Sequence, residues 1–177
     1  MYFKLASFTL ALWIIFGASI ASDFEGCRVG FQNRTSHLFK TKLADYEHNE
    51  AKKDEVIRVK AFFKGKDPAF YFQRNNTNGI AFGIFNGMLA TYRNFEDYHG
   101  NMNPCSINPM EDAFPEDKFT EVDFIVTQKG FFSVIIHSPQ TIVLSCDTKQ
   151  VFDKEMEYFL EYDYYGKKEH LFYDCEF

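Results

Sequence analysis

Residues 119–146 constrain the fold most, because they contain three consecutive segments with the pattern of antiparallel strands. From 121 to 127, apolar and polar residues alternate, and this period of two is typical of a half-buried strand. Gly130 lies in a turn between the first two segments, and Pro139 ends the second, since proline cannot donate a hydrogen bond within a sheet. We therefore predict an all-β fold in which this antiparallel meander is the central part.

Short strands are predicted on both sides of the meander, with turns rich in Gly, Asn and Pro between them. The candidate strands are 56–62, 69–74, 80–85, 88–93 and 170–175. Region 94–115 has little pattern and is predicted to be a long loop, whereas 156–162 fits a helix and a strand equally well. About eight to ten short strands in this spacing indicate a sandwich or a barrel.

The first 21 residues have the features of a secretory signal peptide. Lys4 supplies a positive charge, residues 5–15 are mostly apolar, and small residues at 19 and 21 form a cleavage site before Ser22. The alternative, a membrane anchor, needs about 20 apolar residues, and this segment is shorter. We expect a secreted, extracellular protein with one domain at 22–177, no membrane span after cleavage, and N-glycan sequons at Asn33 and Asn75.

The composition argues against a partner with many negative charges. The formal net charge is −6, and the chain has no run of basic residues, so nucleic acid is not an expected partner. The 22 Phe and 10 Tyr residues suit a large apolar interior built from strands.

Four cysteines remain after the expected cleavage, which in a secreted chain indicates two disulfides with three alternative connectivities. We favour the connectivity that ties the two chain ends together. Cysteine and histidine spacings do not match a metal-binding motif, so no metal and no cofactor are predicted. The favoured pairs are Cys27–Cys175 and Cys105–Cys146.

The order of these segments resembles the galectin family, a jelly-roll β-sandwich that binds β-galactosides. Residues 114–139 look like the paired strands before that family's last turn, with Phe114-Pro115 as the lead-in. Residues 57–72 are similar to the strands that lead into the sugar-binding strand, and 156–175 would supply the closing strand. The resemblance implies an antiparallel jelly-roll sandwich of the galectin or concanavalin type.

The sugar motif of that family consists of His, Asn and Arg on one strand, Asn on the next, and then Trp and Glu. Tyr71 stands at the His position, Gln73 at the first Asn and Asn75 at the Arg, with Arg74 displaced by one. The only Trp, Trp13, leaves with the signal peptide, so galactose specificity is not implied. The resemblance implies a glycan-binding groove, and ordinary surface and turn chemistry is the alternative for these residues. The groove residues are Tyr71, Gln73, Arg74, Asn86, Tyr92 and Glu96.

Glu121 and Asp123 are the candidates for catalysis, because residues two apart on a strand share a face. Retaining β-glucanases resemble this pattern but have a second Glu shortly afterwards, which supplies the acid/base. Here 125–127 are Ile, Val and Thr, and the five histidines are scattered. We therefore expect two solvated carboxylates and no enzymatic activity.

The first hypothesis is a carbohydrate-binding protein whose partners are glycans or glycoproteins. Two alternatives remain at this point. One is a non-catalytic protein-interaction module that binds a protein partner through loops such as 94–115. The other is a lipocalin-like barrel that carries an apolar ligand, although the glycine-x-tryptophan start of that family is absent.

Overall fold

The computed structural model describes residues 24–32, 39–65, 68–74, 78–85, 88–94, 103–109, 113–115, 117–138, 140–155, 157–164 and 169–177. The expected signal peptide and both sequons lie outside these residues. The described part contains one 3₁₀ turn, Leu43–Asp45, and twelve strands. The strands are β1 Arg28–Gln32, β2 Phe39–Lys42, β3 Glu55–Phe63, β4 Pro68–Arg74, β5 Asn78–Phe85, β6 Met88–Tyr92, β7 Ser106–Pro109, β8 Thr120–Thr127, β9 Phe131–His137, β10 Thr141–Asp147, β11 Tyr158–Tyr164 and β12 Glu169–Tyr173.

These strands form two six-stranded antiparallel sheets that pack as a sandwich, which confirms the predicted fold class. Sheet A has the order β1-β12-β3-β8-β9-β10, and sheet B has the order β2-β11-β4-β5-β6-β7. The described strands stay in two separate sheets, so the lipocalin-like barrel is not the architecture.

Aromatic rings fill the space between the sheets. Phe124 of sheet A has its ring centroid 4.9 Å from that of Phe70 and 5.1 Å from that of Phe72, both in sheet B. All three side chains are at most 1% exposed. Burial of a phenylalanine side chain contributes roughly 1.5–3 kcal/mol, so these contacts are a main source of the stability that holds the sheets together.

The predicted meander at 119–146 is confirmed as β8, β9 and β10. Val122 pairs with Ile136 across β8 and β9, which directs the apolar residues of both strands inward. Gly130 closes the turn with φ +86°, and a Cβ there would lie 2.1 Å from the carbonyl oxygen of Gln150. Glycine is required at this position both by the backbone conformation and by the lack of space.

One expectation about an irregular region needs correction, and the structure decides between the two alternatives for an ambiguous one. The region 94–115 contains strand β7, which pairs with β6, and this strand was missed because it is short, polar and at a sheet edge. In the ambiguous region, the described residues from 158 onward form strand β11, which lies between β2 and β4. The short strands β1 and β2 were also missed, because four or five residues show too little alternation to be recognised.

The two disulfides join the same pairs that the sequence favoured. Cys27–Cys175 links the start of β1 to the residues after β12, with the two Cα atoms 4.3 Å apart. Cys105–Cys146 links the residue before β7 in sheet B to β10 in sheet A, with the Cα atoms 5.5 Å apart. One bond therefore holds the ends of the domain, and the other holds the two sheets at one edge.

Removal of Cys27–Cys175 should destabilise the protein more than removal of Cys105–Cys146. The sequence separations are 148 and 41 residues, and loop-closure entropy then gives about 5 and about 4 kcal/mol. Urea denaturation of the two double Cys→Ser variants would measure the difference. An equal or reversed order would contradict the assignment of stability to loop length.

Glu55 at the start of β3 makes an acid-sensitive contact. Its carboxylate accepts hydrogen bonds from Arg58 Nε at 2.8 Å and Nη2 at 2.6 Å, and from the backbone N–H of Lys52 at 2.9 Å. The hydrogen bonds from Arg58 hold the pKa of Glu55 below its usual range. A carboxyl group with a lowered pKa stabilises the fold above its unfolded pKa, and this contribution is lost as the pH falls through the folded value.

Glu55→Gln should therefore be less stable than the wild type at about pH 7, by about 1.5–3 kcal/mol. The difference should shrink as the pH falls below about 4.3, the ordinary pKa of glutamate. Thermal unfolding of both proteins over this pH range would test it. A difference that stays constant down to about pH 2.5 would contradict the role of this carboxylate.

Candidate functional site

The outward face of sheet B carries a row of side chains that crosses five strands. Residues 70 and 72 of β4 point into the sandwich, so Tyr71 points outward. Glu161 of β11 lies opposite Tyr71, which lies opposite Ala81, which in turn lies opposite Tyr92. Lys40 of β2 lies opposite Glu161 on the other side. Strand register alone therefore brings two tyrosines, a carboxylate and an ammonium group into one line.

The tyrosines of this row are buried. Tyr71 is 2% exposed and Tyr92 is 0% exposed. They belong to an apolar cluster separate from the core, together with Ala69, Ala81 and Ala90. Alanine at these positions leaves room for the rings to lie against the sheet. The two rings are therefore part of a packed layer, and their faces are not open to solvent.

The polar half of the row forms a small network around Glu161. Lys40 Nζ lies 2.6 Å from Glu161 Oε1, and Gln73 Nε2 donates to Glu161 Oε2 at 2.9 Å. Lys40 Nζ also lies 4.6 Å from the ring centroid of Phe159, which is half-buried. The Glu161 side chain is 4% exposed, whereas that of Lys40 is 39% exposed. Glu161 is thus the buried end of the network, and Lys40 is the end that contacts solvent.

The structure places half of the predicted groove residues on this face. Tyr71, Gln73 and Tyr92 share it. The backbone of Arg74 pairs with Asn78 and Tyr158, and its side chain is not described. The remaining two groove residues, at positions 86 and 96, lie outside the described residues.

Three residues of this face were missed from the sequence, namely Lys40, Phe159 and Glu161. The signal was present in β11, where Tyr158, Leu160 and Tyr162 alternate with Phe159 and Glu161. That alternation was obscured because the same segment also fits the spacing of a helical face. Lys40 lies in a four-residue strand that gives almost no sequence signal.

On the outward face of sheet A, the expectation of two solvated carboxylates is wrong for Asp123. Asp123 is 8% exposed, and its Oδ2 lies 2.9 Å from Nε2 of His137. The reason is that β8 is a central strand, with Lys60 of β3 directly opposite Asp123 and His137 of β9 beside it. Glu121 is half-exposed, and its Oε1 lies 3.0 Å from Nζ of Lys60.

Within the described ranges, no helix has the length and apolar character needed to cross a membrane.

Comparison with known proteins finds similar folds but no matching family or sequence. No protein-family model and no curated protein sequence match the chain. The carbohydrate recognition domain of Emp46p, in its potassium-bound form, is similar with a TM-score of 0.52 and 8% identity, over 86% of this chain and 88% of that chain.

Two other solved structures are less similar. Peanut lectin with a nine-residue peptide has a TM-score of 0.47 at 11% identity, over 81% of this chain and 88% of that chain. An alginate lyase from Pseudomonas aeruginosa has a TM-score of 0.40 at 13% identity, over 80% and 74%. The likeness to the Emp46p domain shows a lectin-like β-sandwich scaffold.

Glu161→Ala should destabilise the protein by about 1–3 kcal/mol, because Gln73 loses its acceptor while Lys40 can still turn to water. Glu157→Gln is the matched control on the same strand region, since Glu157 pairs with Lys42 and its side chain is 54% exposed. That control should change the stability much less than Glu161→Ala does, because water screens an exposed ion pair. Chemical denaturation of both variants measures the two losses, and equal losses would contradict a buried network.

Proposed function

We propose that this protein is a secreted carbohydrate-binding protein whose sugar site lies on the outward face of sheet B. The site consists of Gln73, Phe159 and Glu161, with Lys40 at its open side. Tyr71 and Tyr92 form the packed layer beside it. The lectin-like scaffold supports the proposal at the level of the fold, because one of the similar structures is a carbohydrate recognition domain.

The observation that carries the proposal is that the Glu161 carboxylate holds two donors, Lys40 and Gln73, and that Lys40 Nζ lies 4.6 Å from the ring centroid of Phe159. Sugars present hydroxyl groups that donate and accept hydrogen bonds, together with an apolar surface of C–H groups. A site for them needs fixed polar groups next to an aromatic ring. The Glu161 side chain is 4% exposed, so its role is to hold the two donors in place. Lys40 and Gln73 are partly exposed and would bond the sugar hydroxyls beside the Phe159 ring.

Only part of the galectin-like motif belongs to the proposed site. Tyr71 and Gln73 take the positions of the His and Asn of that motif, and they lie on the same face as Glu161. The contribution of Arg74, Asn86, Tyr92 and Glu96 as groove residues is also a hypothesis. We propose that the binding site lies on the side of β11 and β2, where Phe159 and Lys40 are partly exposed, because Tyr92 of β6 is closed to solvent.

Secretion and the absence of catalysis are parts of the same proposal. A signal peptide at 1–21, with N-glycans at Asn33 and Asn75, would place the protein outside the cell. Two disulfides fit that compartment, because they persist in oxidising surroundings. The partners would be glycans or glycoproteins, and the negative net charge disfavours nucleic acid.

A glycan array probed with enzymatically deglycosylated protein tests this function. We expect binding to a restricted set of glycans and at least about a tenfold loss for Gln73→Ala and Phe159→Ala, equivalent to ~1.4 kcal/mol. Phe131→Ala is the matched control, because Phe131 is 49% exposed on the other sheet. It should bind as the wild type does.

No glycan binding, or equal losses for Phe159→Ala and Phe131→Ala, would contradict the proposal. A protein captured by pull-down, with binding that competing sugars do not reduce, would instead favour the protein-interaction module. That module would use the same scaffold without a sugar site.

A further inference from the structure

Three potential metal ligands lie together on the outward face of sheet A. Glu121 and Asp123 are two apart on β8 and so share a face, and His137 of β9 lies directly opposite Glu121. One ligand atom from each residue lies within 4.8 Å of the other two. Two adjacent central strands hold this group, so its geometry is set by the sheet rather than by a loop.

An independent observation concerns the second oxygen of Asp123. Asp123 is 8% exposed. Its Oδ1 is inaccessible to solvent and has no hydrogen-bond partner among the described residues. A buried oxygen that lacks a donor is unfavourable for the folded state. The other oxygen, Oδ2, already contacts His137 at 2.9 Å. The Asp123 carboxylate therefore has one oxygen beside an imidazole nitrogen and a second with unused acceptor capacity, which a cation bound by both oxygens would use.

We propose that Glu121, Asp123 and His137 bind a divalent transition-metal ion, with Zn²⁺ as the best fit. Imidazole favours zinc and its neighbours in the transition series, whereas sites for Mg²⁺ and Ca²⁺ are built from oxygen ligands alone. Zinc binds such nitrogen and oxygen ligands at about 2.0–2.2 Å. The ligand atoms of this cluster would move closer together by side-chain rotation, without a change in the strands.

The charges around the cluster decide how tightly an ion is held. Lys60 Nζ lies 3.0 Å from Glu121 Oε1 and competes with a cation for that oxygen. Arg58 is the other basic group on the adjacent strand, and Glu55 neutralises it through two hydrogen bonds. Lys60 is therefore the main opposing charge, and its removal should strengthen metal binding.

The site would be open on one side. Side-chain exposure is 39% for His137 and 32% for Glu121, whereas Asp123 is at the closed side with 12%. Three protein ligands leave a fourth coordination position for water or for an oxygen atom of another molecule. The ion would thus be accessible from solvent on the sheet opposite to the proposed sugar site.

Isothermal titration of the chelator-treated, untagged protein with ZnCl₂ tests the site. We expect one zinc ion for each chain and at least about a tenfold weaker affinity in His137→Ala and in Asp123→Asn. His48→Ala, which removes a histidine outside the cluster, and Glu157→Gln, which removes an exposed carboxylate, should leave the affinity unchanged. Lys60→Met should bind zinc more tightly than the wild type.

A thermal-shift experiment with the same proteins provides a second measurement. Zinc should raise the melting temperature of the wild type, because an ion that binds only the folded state stabilises it. The rise should be absent in His137→Ala, whose side chain is partly exposed and whose loss the fold should tolerate. Zinc affinity that is the same in His137→Ala and the wild type would overturn the proposal. Tighter binding of Ca²⁺ or Mg²⁺ than of Zn²⁺ would overturn the assignment to a transition metal.

Discussion

Contact between phenylalanine rings of the two sheets is the interaction on which this structure depends. Phe124 stands at its centre, with Phe70 and Phe72 of the facing sheet within about 5 Å. Phe82 is a further neighbour, with its ring centroid 6.3 Å away. Large rings fill the interior, and the polar side chains of the same strands lie on the two outward faces. The aromatic content of the chain therefore accounts for much of the stability of the sandwich.

Each outward face derives its chemistry from strand register. On sheet B, register brings Lys40, Glu161 and Tyr71 into line across three strands. On sheet A, it brings His137 opposite Glu121. A slip of one residue in either sheet would turn these groups inward and expose the core. The same aromatic contacts that stabilise the fold thus also fix the positions of the polar groups.

The sequence predicted the fold class and the strands with clear alternation, because period-two patterns follow directly from the geometry of a strand. It failed where strands are short, as in β1, β2 and β7, since a few residues cannot show a period. The sites were harder to predict, because they depend on which strands become neighbours. Lys40 and Glu161 are far apart in the chain, and only the order β2-β11-β4 brings them together.

Asp123 shows that neighbouring strands also decide burial, even within a correctly predicted hairpin. Alternation placed its side chain on the outward face, and the structure agrees, but outward does not mean exposed. In a central strand, long side chains from both neighbours cover the one between them. Here Lys60 lies on one side and His137 on the other. The degree of burial on an outward face therefore cannot be read from one strand alone.

The Cys27–Cys175 bond has a consequence for the covalent connectivity of the molecule. Together with the backbone, it closes a ring that contains all the described strands of both sheets. A protease that cuts any one connection between strands opens the ring without dividing the molecule. Such a nicked molecule keeps both pieces joined, and the paired strands can hold them in place. In an extracellular setting, a protein cut once would remain one covalent molecule. Its two pieces would separate only after reduction of the disulfides.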